Sequence, residues 1–331
     1  HLLRRRYAEL TIYYIGAVPF VLALTYFWSE MRRYGNAAQR TEEWSLVLTG
    51  LFVWMKLWQV IYADRLSASI RGEPASKWSI LRLGKVVLSQ AILQPTGFIV
   101  LPVAILLTFP LGWVYAFYQN LTVLDDGEKP LRELVARARK HAGHWQMQNL
   151  ILMWFMSPIL LVTTLVLYLG IVPLVSPFFT ELGRAFLGLL LALAAILCVL
   201  LSPLGVILAV NVTISLILLP QLAKALLGVD LWVVRLPAFW TSTMFAATIG
   251  SIVYLLMDPF MKAAYVLRCF YTESAKTGED LRVQFRKIVS ASKTALVILV
   301  FCCLFLLQSD VSALPQQAPA DAALLDVSTT A

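Results

Sequence analysis

Long runs of apolar residues fill most of this 331-residue chain, and they constrain its fold more than any other feature. An α-helix needs about 20 apolar residues to cross the hydrocarbon of a bilayer. Runs near this length or longer lie at 10–29, 44–63, 83–124, 146–170, 185–227, 238–257 and 293–308. Because only helices and closed barrels satisfy their backbone in lipid, we predict an all-α, polytopic transmembrane helix bundle with interfacial amphipathic helices.

The composition excludes an ordinary soluble domain. The chain is 60% hydrophobic and 14% charged, whereas soluble domains are about half apolar and about a quarter charged. We therefore predict one transmembrane domain over residues 1–308. The stretch 309–331 is rich in Pro, Gln, Ala, Ser and Thr and lacks Lys and Arg, which predicts a disordered linker or tail.

Two of the apolar runs are long enough for two crossings each. The run 185–227 is broken by the turn sequence 202–205, Ser-Pro-Leu-Gly. The run 83–124 is broken at Pro95, Gly97, Pro102 and Pro110. We predict about nine spans, or seven spans plus a re-entrant hairpin.

Lys and Arg residues are unevenly distributed between the polar segments. With a cytoplasmic N-terminus, the cytoplasmic segments hold 19 of the 27 Lys and Arg residues, as the positive-inside rule requires. These segments are 1–9, 64–82, 124–144 and 261–293. We predict a multi-pass protein of the bacterial inner membrane with a non-cytoplasmic tail. Its net charge of +8 indicates contact with membrane lipids and not with nucleic acid.

The segment 126–145 predicts a basic amphipathic helix. Asp126 is a candidate cap, Pro130 suits the first turn and Gly143 can end the helix. Trp145 would lie at headgroup level. The helix either docks a cytosolic partner or anionic lipid, or only orients the next span. Its basic residues are Arg132, Arg137, Arg139 and Lys140.

A second polar segment follows the run 238–257. Asp258 and Pro259 predict a helix cap and a first turn, so that a new helix begins at the membrane surface. An alternative is an acidic site that combines Asp258 with Glu279 and Asp280. The basic residues expected over the headgroups, and available for docking, are Arg268, Arg282, Arg286 and Lys287.

Polar residues inside the spans are few. They are Lys56, Asn211, Thr213 and Ser215. They either line a substrate path or hydrogen-bond between helices. The predicted spans contain no Asp or Glu in their middle, which weighs against proton-coupled transport.

No segment of the sequence indicates catalysis or a cofactor. His141 and His144 have a spacing that can place two metal ligands on one helix face, but no further ligand set accompanies them. Cys198, Cys269, Cys302 and Cys303 lack metal-ligand spacing and are interpreted as reduced thiols. We predict no catalytic residue, no metal and no cofactor, and therefore no enzyme.

Two segments resemble a known group of proteins. The stretch 134–145 is similar to the entry helix "A-x-R-x-S-W-x-L-x-x-G-x-W" in the membrane domain of glycerophosphoryl diester phosphodiesterases and related bacterial membrane proteins. Asp258-Pro259-Phe260, Tyr271 and residues 278–281 resemble the "DPF … Y … EGxDL" ending of the same group. The chain most resembles uncharacterised multi-span proteins encoded beside MoxR-type AAA ATPases. The resemblance implies a multi-span scaffold that works with partners.

Two functions remain open. The first is a non-catalytic membrane scaffold or subunit of a multi-protein complex, with protein partners at the cytoplasmic basic helices. The second is a transporter or lipid-handling protein, because interrupted helices such as those of 83–124 line binding sites in transporters.

Overall fold

The computed structural model describes most of the first 156 residues and two later stretches. The described residues are 7–33, 37–107, 112–156, 180–181, 183, 188, 203–228, 242–286 and 288–289. Regular secondary structure in these ranges is α-helical throughout, which confirms the all-α prediction. The predicted span 293–308, the tail 309–331, Lys287, Cys198, Cys302 and Cys303 lie outside the described residues.

The helices follow the predicted apolar runs. They are α1 (Tyr7–Arg33), α2 (Ala37–Arg71), α3 (Ile80–Leu93), α4 (Thr96–Leu107), α5 (Gly112–Val123), α6 (Leu131–Gly143), α7 (Gln146–Met156), α8 (Pro203–Leu227) and α9 (Thr243–Thr277). Within the described ranges, five segments are long and apolar enough to cross a membrane: Tyr7–Met31, Thr41–Arg71, Ile80–Leu101, Leu204–Leu227 and Met244–Thr277. The count of about nine spans stays a prediction.

The breaks in the double-length runs are partly those expected from proline. A turn at Gln94 and Pro95 separates α3 from α4. Pro203, Leu204 and Gly205 of the predicted turn are helical at the described start of α8, whereas Ser202 and Pro110 lie outside the described residues. Pro102 instead lies inside α4, so the break predicted there is wrong. Transmembrane helices tolerate such prolines because neighbouring groups can satisfy the freed backbone.

α2 and α9 are much longer than the predicted spans. Each has 35 residues, or roughly 52 Å at about 1.5 Å per residue, whereas the hydrocarbon core is about 30 Å thick. The segments predicted as polar loops, 64–82 and 261–293, therefore begin inside these helices. A crossing of about 20 residues would use only part of α9.

The predicted helix start at Asp258 and Pro259 is wrong, because α9 continues through both residues. A proline inside a helix leaves the carbonyl four residues earlier without its N–H donor. Here that carbonyl belongs to Leu255, and the Tyr14 hydroxyl donates to it at 3.3 Å. The hydroxyl of Tyr62 donates to the Pro259 carbonyl at 3.4 Å. Tyr14 of α1 thus supplies the donor that the proline removes, and Tyr62 of α2 adds a second contact at the same turn.

Buried tyrosines hold α9 against the other helices. Tyr13 and Tyr62 pack with Val266 in one buried cluster, and Tyr265 packs with Tyr115 in a second. Among the described residues, the tyrosines Tyr13, Tyr62 and Tyr265 are fully buried and contribute large apolar surfaces. The hydroxyls of Tyr13 and Tyr62 also donate hydrogen bonds. The polar groups described below are positioned by this packing.

α1 and α2 approach most closely at Gly16. A Cβ at this position would lie 2.4 Å from Cβ of Trp58, so even alanine would push the two helices apart. We expect Gly16→Ala to lower the free energy of unfolding in mild detergent by about 1–3 kcal/mol, the usual cost of overpacking. Gly50→Ala in α2 is the control, since nothing lies within 4 Å of its added Cβ. An equal loss in both variants would contradict the close approach.

Residues 278–331 form a separate compact unit from residues 1–277. In its described part, a helical stretch covers 279–286. Gly278 precedes it at φ 64° and its carbonyl accepts from the Arg282 N–H at 3.3 Å. Arg282 and Arg286 are exposed on this stretch.

Candidate functional site

Glu273 in α9 joins three helices through ion pairs. One carboxylate oxygen accepts from Arg71 of α2 at 3.1 Å, and the other accepts from Arg137 of α6 at 3.0 Å. Nε2 of His141 lies 3.6 Å from the second oxygen. We call the surrounding surface the polar end; it consists of the last turns of α2, the loops 72–79 and 124–130, α6, and residues 262–277.

The polar end collects the segments that the charge distribution assigned to one side of the membrane. Residues 64–82, 124–144 and the described start of 261–293 all contribute to it. Their common location agrees with an even number of crossings between 83 and 124.

α6 uses its apolar face inside the bundle. It begins at Leu131 and ends at Gly143 as expected, and Leu134 and Ala138 are buried against Leu121 of α5. Asp126 does not cap it, because its side chain accepts instead from the N–H groups of residues 128 and 129. A helix lying on the membrane would bury that apolar face in lipid, so α6 is a bundle helix with one free basic face.

The predicted basic docking residues therefore divide into two groups. Arg132, Arg139 and Lys140 are exposed. Arg137 is turned towards Glu273 and also lies 3.8 Å from Asp126. The first group is available to a partner, whereas Arg137 holds α6 in place.

Arg268 is not a surface docking residue. It is 8% exposed, and its guanidinium donates to the His144 carbonyl. This corrects the expectation that Arg268 lies over headgroups. Trp145, which follows His144, is 41% exposed and remains available at the surface.

Arg82 fixes the two loops of the polar end. Its guanidinium donates to the Asp126 and Lys77 carbonyls and lies 4.0 Å from the centre of the Trp78 ring. It also lies 3.8 Å from Asp64 of α2. A planar cation with several donors can satisfy such separate partners at once.

Asp125 anchors the loop 124–130 to α3. Its carboxylate accepts from Ser89, from Gln90 at 2.7 Å and from the Gly127 N–H at 3.2 Å. Burial raises the pKa of the Asp125 carboxyl, and the hydrogen bonds from Ser89 and Gln90 oppose that shift. The loop 124–130 is therefore held at two points. The Asp125 carboxylate bonds to α3, and the Asp126 carbonyl accepts from Arg82.

A second group of buried polar side chains surrounds Asp258. One carboxylate oxygen accepts from the Tyr13 hydroxyl at 2.7 Å and from the Gln59 amide at 2.9 Å. The same amide nitrogen lies 3.2 Å from the Tyr254 hydroxyl. We call these four residues the Asp258 cluster. Asp258 is 8% exposed and lies within the candidate span Met244–Thr277, one residue beyond the predicted run 238–257. The absence of an acidic residue from the middle of the predicted spans stays a prediction.

Two lysines accompany this carboxylate. Lys262, one turn further along α9, is 1% exposed and donates to the Gln119 side chain at 2.6 Å. Lys56 of α2 interacts electrostatically with Lys262 and Asp258, and its ammonium lies 5.5 Å from the Phe52 ring centre. The predicted intramembrane Lys56 is thus part of a charged group near Asp258.

The other predicted intramembrane residues are not part of that group. Asn211 donates to the Ile207 carbonyl and Thr213 to the Ala209 carbonyl, both at 2.7 Å and both within α8. Asn211 and Ser215 are exposed on a helix whose apolar window is only 6% buried. These side chains satisfy their own helix, as Ser, Thr and Asn commonly do.

The two histidines of the predicted amphipathic helix do not converge. His141 is buried beside Glu273, whereas His144 is exposed. Cys269 is buried, and its sulfur lies 3.5 Å from the Asn120 side-chain oxygen.

The sequence analysis did not identify the residues that pair with Glu273 and with Asp258. Tyr13, Gln59 and Lys262 stand in or beside apolar runs, where an intramembrane polar residue is itself a signal of function or packing. Arg71 and Glu273 carried no such signal, because they lie in segments rich in charge. Asp258 was identified in the sequence, but because Pro259 follows it we predicted that it caps a helix.

Comparisons with known proteins give no further guide. No protein-family model matches the chain, and neither a curated protein nor a solved structure shows significant similarity to it.

Proposed function

We propose that the chain is a non-catalytic integral membrane scaffold, or subunit, of a multi-protein complex in a bacterial inner membrane. Its polar end faces the cytoplasm and docks a protein partner. The resemblance to multi-span proteins encoded beside MoxR-type AAA ATPases belongs to the same proposal. The N-terminus is then cytoplasmic and the tail lies on the opposite side.

The free basic face of α6 carries this proposal. The other face of the helix is fixed to α5 by apolar packing and to α9 by the Arg137–Glu273 pair. Arg132, Arg139 and Lys140 therefore project from a rigid support. Side chains held on a rigid element lose less entropy when a partner binds, and basic charges steer acidic partners electrostatically.

The polar groups within the candidate spans support the scaffold over a transporter. The Asp258 carboxylate has two hydrogen-bond donors from other helices. Asn211 and Thr213 bond to their own backbone. The interhelical bonds of Asp258 hold helices together in a static bundle, whereas those of Asn211 and Thr213 satisfy only their own helix.

The test is capture of partners by the tagged protein extracted in mild detergent, followed by mass spectrometry. We expect a stoichiometric partner with the native chain, and about tenfold weaker retention with R132Q/R139Q/K140Q, since each exposed pair contributes up to about 1 kcal/mol. K77Q is the control, because Lys77 is an exposed cation of the same polar end. Recovery of the chain alone would contradict the scaffold.

A transporter is the second candidate, and one observation favours it. Asp258 and Lys56 place one acidic and one basic group within candidate spans, next to Lys262 at the start of the polar end, and charges in spans mark ion pathways by default. Transport by the reconstituted chain that is abolished in D258N would favour this function. D258N keeps an acceptor for Tyr13 and Gln59, which separates a loss of charge from a loss of structure.

A further inference from the structure

The corner between α6 and α7 has a strained residue at its tip. Trp145 has a φ of 49° and is the one residue other than glycine with positive φ among the described residues. Such a backbone is costly for a bulky side chain and persists only when its surroundings impose it. It places the indole at the surface, with 41% of the residue exposed.

Buried side chains hold this corner in its conformation. The Asn149 amide donates to the Ala142 carbonyl at 2.7 Å and lies 3.4 Å from the His144 carbonyl. The Arg268 guanidinium donates to the same His144 carbonyl. Asn149 is fully buried, so α7 and α9 together fix the position of Trp145.

The helix that follows the corner presents an apolar stripe outwards. Met147, Ile151 and Phe155 are spaced four residues apart on α7 and are 69%, 55% and 45% exposed. α7 is the described part of the predicted span 146–170. In a span, such a stripe contacts lipid chains, and tryptophan prefers the headgroup level at its end. The corner therefore marks the depth at which α7 enters the hydrocarbon.

Two cations lie just before the corner. Arg139 and Lys140 are in the last turns of α6, and both are exposed. Lys140 precedes Trp145 by five residues. A lipid at this depth would have its phosphate level with the cations and its chains along the α7 stripe.

We propose that the α6–α7 corner binds an anionic phospholipid. Arg139 and Lys140 contact the headgroup phosphate, the Trp145 indole lies against the headgroup region, and one acyl chain follows Met147 and Ile151. Arg139 and Lys140 also belong to the basic face that the proposed function assigns to a protein partner. At the corner itself we favour the lipid, because the exposed apolar stripe begins at Met147, two residues after Trp145. Lipid binding is measured without a protein partner, so loss of the lipid preference while partner capture persists would reject the lipid site and leave the scaffold function standing.

The test is native mass spectrometry of the full chain in detergent with added phosphatidylglycerol or phosphatidylcholine. We expect the native chain to prefer phosphatidylglycerol. In R139Q/K140Q its affinity should fall about fivefold for each charge removed, or about 25-fold in total. K77Q should keep the preference. W145A should weaken retention of both lipids, since the indole contacts either headgroup.

Three results would overturn the lipid site. One is an unchanged preference in R139Q/K140Q, and another is an equal loss in K77Q. The third is binding of a soluble polyglutamate peptide that requires Lys140 while the chain shows no preference between the lipids, which would assign the corner to a protein partner. Because Arg139 and Lys140 are exposed, unchanged thermal unfolding of the double variant serves as the folding control.

Discussion

Replacement of Asp258 by alanine is expected to lower the free energy of unfolding by about 3–5 kcal/mol, the range for removing one partner of a buried charged group. The substitution removes the acceptor of Tyr13 and Gln59 and leaves Lys262 buried without its nearby carboxylate. The measurement is unfolding of the purified chain in mild detergent.

A graded series keeps this prediction testable even if the alanine variant does not fold. D258N retains an acceptor and should lose less than D258A. Y13F removes one hydroxyl from the Asp258 cluster and should lose about 0.5–1.5 kcal/mol. E128Q is the control, because the Glu128 side chain is 72% exposed. Native stability in D258A would show that the cluster does not hold α9 to α1 and α2.

Gly127→Ala is expected to be the second most damaging change, because two separate costs add. Gly127 has a φ of 65°, and an L-residue in this region costs roughly 1–2 kcal/mol. Its added Cβ would also lie 2.8 Å from Cγ of Arg82 and 2.9 Å from the Arg82 carbonyl oxygen. Overpacking typically costs about 1–3 kcal/mol more, so we expect a total loss of about 2–5 kcal/mol.

Gly72 separates the two costs. It has a φ of 69°, but nothing lies within 4 Å of its added Cβ. Gly72→Ala should therefore lower the free energy of unfolding only through backbone strain, by roughly 1–2 kcal/mol. Both variants are compared by unfolding in the same detergent. Equal losses at the two positions would mean that contact with Arg82 does not constrain the loop 124–130.

Local sequence signals predicted the elements that depend on local chemistry. The turn at Pro95 follows from proline geometry. The limits of α6, Leu131 and Gly143, follow from Pro130 and from apolar residues at helical spacing. Each of these features is decided by residues within a few positions of it.

The continuation of α9 through Pro259 could not be predicted in this way. Its outcome depends on Tyr14, which lies 241 positions earlier in the chain and donates to the carbonyl of Leu255. Locally, an Asp-Pro pair is equally suited to begin a helix. The ion pairs of Glu273 likewise join residues 136 and 202 positions apart, and the local sequence does not specify them.

The position of Glu273 also sets an order of assembly. During synthesis, Arg71 and Arg137 emerge long before the carboxylate that pairs with both of them. The Tyr13 hydroxyl and the Gln59 amide are likewise synthesised before Asp258, the carboxylate to which both donate. The early helices can insert one by one, but they become a closed unit only when α9 arrives, so nascent chains that end before it should depend on insertion factors or be degraded.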